Sequence, residues 1–470
     1  MVIEEHARLE LFLPKPPGSL DSLDPPIIIP EEDIIQNSLS VTSQCVSGNT
    51  FGFGCVSPAQ LSVKFRIKDQ DIGRYDVYGA AIILYSWFGK HPPEDGGKRG
   101  VFNVTAVTKK DDIFTISAFD NVCLLDNSAF NNSTNVIFKR FGNGGGIFAA
   151  HNAIQVVACE FARDFHGNLL NLNFKDNPAV TEIPNADKTF EAYEIPEYFW
   201  EVKVNFSENR HISIYSDEQS GNIRDYVSWL AEYMGGFVQA DADGNLQFCL
   251  FENTWKNSSD TKILDFSEFE KSSLEIAGFR IHLHSAKVIL EDMQWRYCDT
   301  GSNDGNSTIN TEIVIQNNPF VEYSYQCFRA DMMPIVASLA FYQRYIQIRP
   351  FSGTYHGKEY LHLGQYIEIT DKDGKIYPTT ITNITWKFRG GQKIQCIGED
   401  SRTLSQARKR SQAVRVGERL KTQINRTESN LRTEMGNMSG NVKNISENQT
   451  DQWNTIQEQI GELWNALNGG

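Results

Sequence analysis

Gly142-Asn143-Gly144-Gly145-Gly146 is the first place in this 470-residue chain where phosphate chemistry could sit. A Walker-type loop closes on Gly-Lys-Ser/Thr, because the lysine and hydroxyl hold the phosphate and its magnesium. Ile147 follows here, so the segment reads as a loop without that chemistry. Asp-Ala-Asp-Gly at 241–244 and Asp-Lys-Asp-Gly at 371–374 open like calcium loops, which need further oxygens and a glutamate at position twelve. Counting from Asp241, Glu252 holds position twelve. However, Asn245 stands at position five, glycine falls at four instead of six, and Leu246, Phe248 and Leu250 alternate like a strand. Both tetrapeptides therefore read as turns, with aspartate holding the turn and glycine taking positive φ. His282 and His284 sit two apart on an expected strand and so share a face, but no third ligand accompanies them, and a surface pair is the reading. Cys45-Val46-Ser47-Gly48 matches no cysteine-protease pattern, and neither His-Glu-x-x-His nor Gly-x-Ser-x-Gly occurs. The expectation is a protein without catalytic residues, metal ligands or cofactor.

Chemistry of association is better represented. From residue 403 onward there is no proline, and Leu420, Ile424, Thr427, Leu431, Met435, Met438, Val442, Ile445, Gln449, Trp453, Ile456, Ile460, Leu463 and Leu467 recur at spacings of three or four. Such a long helix cannot bury its stripe alone and is expected to pair with copies of itself. A helix docked on its own body is the simpler alternative. Ahead of the stripe, Arg402, Arg408, Lys409, Arg410, Arg415, Arg419 and Lys421 face a single acid, Glu418. This basic junction would lie against the acidic body, against nucleic acid, or in solvent.

Those residues must be held by something. Hydrophobic residues are 40% of the chain, enough for cores, and the length suits several domains. The net charge is −15. Residues 401–470 carry ten Lys and Arg against seven Asp and Glu, so that segment is +3 and residues 1–400 are −18. An acidic body argues against a nucleic-acid-binding surface there. The eight cysteines form no Cys-x-x-Cys pair and read as buried free thiols. The N-terminus, MVIEEHARLELF, has no basic region followed by an apolar run, so no signal peptide is expected, and no apolar stretch is long enough to span a membrane.

Residues 14–30 are rich in proline, and residues 1–38 are expected as an extended arm. Leu61, Val63, Phe65 and Ile67 alternate with polar residues, as do Phe102 with Val104 and Phe114 with Ile116 and Ala118, with Lys109-Lys110-Asp111-Asp112 as a hairpin turn. Residues 39–126 are thus expected as a small β-barrel or sandwich. Residues 127–254 read as α+β. One helical face is formed by Ile154, Val157, Ala158, Phe161 and Phe165. A second is formed by Ile223, Tyr226, Val227, Leu230 and Tyr233, stopped by Gly235-Gly236 and followed by a hairpin. Residues 255–402 return to β, with turns at 371–375 and Arg389-Gly390-Gly391 and one helix near 334–346. Residues 403–470 form the stalk.

Four segments resemble a known family, in its order. They are SLSVTSQCVSGNTFGFGCVSPAQLSVKFRI (38–67), GVFNVTAVTKKDDIFTISAFDNVCLLD (100–126), IRDYVSWLAEYMGGFVQADADGNLQF (223–248) and LGQYIEITDKDGKIYPTTITNITWKFRGG (363–391), with NNPFV (317–321) before the last. They are similar to the tail hub proteins of siphophages and myophages, also called tail-associated or prophage endopeptidase tail proteins. The resemblance implies an α+β, mostly β fold: a hub of β-barrel domains with an α+β domain, followed here by a long C-terminal helix forming a trimeric coiled coil. It implies a homotrimeric ring that caps the tail tube in the virion after assembly in the host cytoplasm. The implied partners are a distal tail or tube protein, the tape measure, and receptor-binding or fibre proteins, with phage DNA passing through the lumen. Some members carry a C-terminal peptidoglycan hydrolase; this sequence has only the expected helix after the hub. A tail lysin with its site in the hub, and a carbohydrate-binding receptor protein, are the alternatives.

Overall fold

The structure is a computed structural model that describes residues 5–14, 25–48, 51–67, 72–93, 96–126, 146–149, 172–173, 211–214, 223–252, 261–290, 294–298, 308–316 and 345–398, with single positions at 318, 336, 339 and 343. All belong to the compact unit Met1–Ala407. The described chain is mostly β.

Its largest element is an eleven-stranded sheet. Across the sheet the strands run Glu275–Ile276, Phe351–Tyr355, Gly391–Cys396, Asn383–Lys387, Ser40–Gln44, Gln60–Arg66, Ile113–Asp120, Lys98–Lys110, Ala81–Phe88, Glu5–Phe12 and Ile27–Ile29. Strands from the regions expected as separate barrels are therefore neighbours: Asn383 pairs with Gln44 and Lys387 with Ser40. The alternation at 60–66 behaves as its period requires, with Leu61, Val63 and Phe65 buried and Gln60, Lys64 and Arg66 exposed. Burying each of these apolar side chains contributes about 1.5–3 kcal/mol. The Lys109–Asp112 hairpin is present, with Asp111 at φ 55° as the tight turn demands.

Part of the segment expected as an arm is a full strand. In Glu5–Phe12 the residues Ala7, Leu9 and Leu11 point into the core, while His6, Arg8 and Glu10 do not, and the strand pairs with Ala81–Phe88 along its whole length. Only Ile27–Ile29, bracketed by Pro26 and Pro30, behaves as an edge. Beyond it, Ile34 bridges to Phe65, so the sheet curls back towards the Gln60–Arg66 strand. The curl encloses Leu9, Leu11, Val63, Phe65, Leu84, Phe102 and Phe114 together with Trp386 and Phe388 from the far end of the sequence.

A second core lies beneath the helix Ile223–Met234, which ends as expected at Gly235 (φ 79°). Its companion hairpin, Phe237–Ala240 and Leu246–Cys249, joins a four-stranded sheet with Leu172–Asn173 and Cys55–Val56. The smaller sheets are Lys262–Asp265 with Tyr366–Thr370 and Ile376–Thr380, Gln294–Cys298 with Arg280–Ile289 and Thr308–Gln316, and Gly146–Ala149 with His211–Ile214. Near 334–346, positions 336, 339 and 343 are helical; Pro334 lies outside the described residues. The helix expected at 154–165 and the stalk at 403–470 also lie outside them. Among the described residues no helix is long and apolar enough to cross a membrane.

Candidate functional site

The segments that carry the family resemblance meet in one packed junction. Gly54, at φ 84°, donates its N–H to the Gly236 carbonyl (2.7 Å) and accepts from Ser228 Oγ (2.6 Å). A β-carbon there would meet the Ser228 carbonyl and Glu232 Cβ at 2.8 Å, so the loop can lie against the helix only as glycine. Phe51, Phe237 and Phe251 fill the space beside it, with Phe251 at 4.8 and 5.0 Å from the other two rings. At the hairpin tip, Asn121 Nδ2 donates to the Gly244 carbonyl (2.8 Å), and Lys98 Nζ meets Asp243 (3.1 Å). On the other flank Cys45 N–H donates to the Thr382 carbonyl (2.9 Å), and Glu252 N–H to that of Gly364 (2.8 Å). Residues 38–67, 100–126, 223–248 and 363–391 are thus pinned together by backbone and buried side-chain contacts.

A second feature ties the ends of the described chain. Glu5 is 5% exposed, yet its carboxylate is fully engaged. Oε1 accepts from Trp386 Nε1 (2.8 Å) and from the Tyr360 hydroxyl (3.4 Å); Oε2 accepts from the Arg389 N–H (2.6 Å). Arg389, at φ 59° in its turn, also reaches Glu31 with Nη2 (3.1 Å), and Glu31 meets His6 Nδ1 (2.9 Å). Tyr360 touches Ser86 through its hydroxyl (2.8 Å) and stacks on Phe88. Sequence reading missed this network; the only local signal was the alternation around Glu5, since its donors lie more than 350 residues away.

A third feature is Asp120, 5% exposed at the end of Ile113–Asp120. Its carboxylate accepts from the N–H groups of Ala59 and Val122, both at 3.0 Å. Burial pushes its pKa up to about 7, against the opposing pull of those amides and of Arg224.

The residues flagged for chemistry resolve individually. Asp241 Oδ1 accepts from the N–H groups of Asp243 and Asn245, and Asp371 Oδ1 from those of Asp373 and Lys375, all at 2.9 Å. These carboxylates hold turns, and the amides hold Asp371 below the usual carboxylate range. Glu252 bonds His362 Nε2 (2.9 Å) and the Tyr366 N–H (3.0 Å), so its oxygens serve the junction. His284 falls at a bulge in Arg280–Ile289 and donates Nδ1–H to the Thr311 carbonyl (2.8 Å). Cys45, Cys55, Cys249 and Cys396 are buried free thiols; burial raises all four, Cys249 to about 12 and Cys396 to about 11. Among the described residues no group of three or more His, Cys, Asp or Glu converges to hold a metal. Gly146 and Ile147 begin the strand Gly146–Ala149; the rest of the glycine run, the association stripe from Leu420 to Leu467 and the basic junction from Arg402 to Lys421 lie outside the described residues.

Solved structures that this chain resembles include phage tail proteins and a component of a type VI secretion system. The prophage tail protein gp18 of Listeria monocytogenes EGD-e matches with TM-score 0.43 and 11% identity over 85% of this chain and 96% of its own. The 43 kDa tail protein of prophage MuSo2 from Shewanella oneidensis matches with TM-score 0.42 and 10% identity over 83% and 98%. A tail protein of Neisseria meningitidis MC58 matches with TM-score 0.40 and 11% identity over 84% and 97%. Likeness at that level is coarse and transfers no residue roles. No family model and no curated protein matches the chain.

Proposed function

We propose that this protein is a structural hub of a bacteriophage or phage-like tail tip. In this reading it caps the tail tube and links it to the distal components that touch the host during DNA delivery. The observation that carries the reading is the junction. The four stretches similar to tail hub proteins are far apart in sequence, yet they pack on one another through Gly54, Asn121, Gly244, Gly364 and Cys45. Elements that converge in space while keeping the family's order support a shared body rather than scattered chance matches. In the same reading the Leu420–Leu467 stripe joins three copies in a coiled-coil stalk, and Arg402, Arg408, Lys409, Arg410, Arg415 and Arg419 neutralise acidic hub surface at its base. The role is structural, the expected neighbours are other tail proteins, and the location is the virion. Light scattering on the purified full chain tests the assembly: about three times the 53.2 kDa chain mass supports the ring, and a monomer at micromolar concentration refutes it.

A further inference from the structure

Arg99 is placed unusually. Leu84 pairs with Gly100 and Tyr85 with Lys98, so Arg99 is the extra residue of a β-bulge and has no partner across the ladder. Bulges re-aim a side chain, and this one sends the guanidinium onto the ring of Tyr360, 3.5 Å from its centroid. Phe88 stacks on the same ring with centroids 4.8 Å apart, and the Tyr360 hydroxyl is held by Ser86 and Glu5, so the platform is fixed.

A guanidinium lying on a ring points its five N–H donors sideways, the geometry that takes a carboxylate bidentately. Among the described residues no hydrogen bond or ion pair reaches that edge. Glu5 is near enough for its charge to be felt, but its oxygens are committed to Trp386, Tyr360 and Arg389. Arg99 is half-buried, so its guanidinium remains within reach of a ligand, and partial burial lowers its pKa from the ordinary value. The chain carries 59 acids against 44 Lys and Arg, so a carboxylate in contact would be the common outcome for an arginine here. We infer that the Arg99–Tyr360 stack is a binding site for an external carboxylate, of the kind borne by an acidic side chain of a partner polypeptide. The inference is independent of the hub reading, since it rests on the bulge, the stack and the contacts around them.

Phenylglyoxal modification of the full-length protein tests it, read at Arg99 and at the exposed, ion-paired Arg66 by peptide mass spectrometry. The reaction is run in chloride, acetate and inorganic phosphate at equal ionic strength, and with the blocked peptide acetyl-Gly-Glu-Gly-amide. Acetate and the peptide are expected to slow modification of Arg99 several-fold relative to chloride while leaving Arg66 unchanged. Protection by the peptide at lower concentration than acetate assigns the carboxylate to a polypeptide side chain; equal potency assigns it to a free small carboxylate. Tyr360→Leu should abolish the protection, because the charge stays but its orientation is lost. Equal rates in acetate and chloride, protection by phosphate alone, or unchanged protection in Tyr360→Leu would each overturn the site.

Discussion

Replacing Glu5 by alanine should destabilise the body more than a change so near the N-terminus ordinarily does. The substitution removes the acceptor for the buried Trp386 indole N–H at 2.8 Å, and for the Arg389 amide at 2.6 Å, which lies in an exposed turn and can turn to water. Leaving the buried indole donor unsatisfied costs about 1–3 kcal/mol. Part of that is recovered, because the variant no longer keeps a carboxylate out of water. The net loss should be about 1–3 kcal/mol, where a surface substitution changes stability by about 0.5 kcal/mol or less. Urea unfolding followed by circular dichroism measures it, with the slope checked so that midpoints compare like with like. Glu5→Gln should fall between, since its amide oxygen can serve only part of the set. Combining Glu5→Ala with Trp386→Phe should cost less than the sum of the two, because each removes the same bond. A Glu5→Ala variant that unfolds with the wild type, or full additivity with Trp386→Phe, would show that the network does not hold the ends together.

Further outcomes follow from other contacts. Asp120 has its pKa raised from 3.8 to about 7, so the unfolded chain releases this proton first. Its contribution is fully present below about pH 4 and is lost as pH rises through about 7, by up to about 4 kcal/mol. Between those limits the stability of the wild type should fall relative to that of Asp120→Asn as pH rises, and a difference that stays flat would rule this out. Gly54→Ala meets backbone at 2.8 Å and a positive φ, and should lower the unfolding free energy by about 2 kcal/mol or more, whereas Gly374→Ala, with open space around it, should cost about 1 kcal/mol, both read from urea unfolding. In the proposed stalk, Leu431→Asp with Ile445→Asp buries charge against its copies and should lower the mass seen by light scattering; an unchanged mass would sink the stripe as the assembly seam.

What the sequence disclosed was chiefly local. The turns at 109–112, 241–245 and 371–375 and the stop at Gly235 were legible, because aspartate and glycine chemistry acts within a few residues. Alternation at 60–66 disclosed a half-buried strand for the same reason. The Glu5–Phe12 strand was not read from the same kind of pattern. Its partner lies about 75 residues away, and the prolines that follow drew the segment towards an arm. Regions read as separate barrels share one sheet, since nothing within 40–44 announces that 383–387 will pair with it. The Glu5 network and the contact of Arg99 with Tyr360 join residues far apart in sequence, although the bulge at Arg99 is itself local to the Ala81–Phe88 and Lys98–Lys110 pair. His282 and His284 do share a face, half-buried on either side of buried Leu283, and the alternation breaks only beyond them, where Ser285 and Ala286 are buried in succession. The association stripe is a pattern of sequence, and it stands as a proposal.

Immunogold electron microscopy of intact tail particles tests the central claim most directly, with an antibody raised against the 5–126 region of this chain. The hub reading predicts gold at a single end of the tail, the one distal to the head, on particles whose tubes are otherwise unlabelled. Label along the tube, at the head, or absent from assembled particles that contain the chain's gene product in the lysate would contradict it.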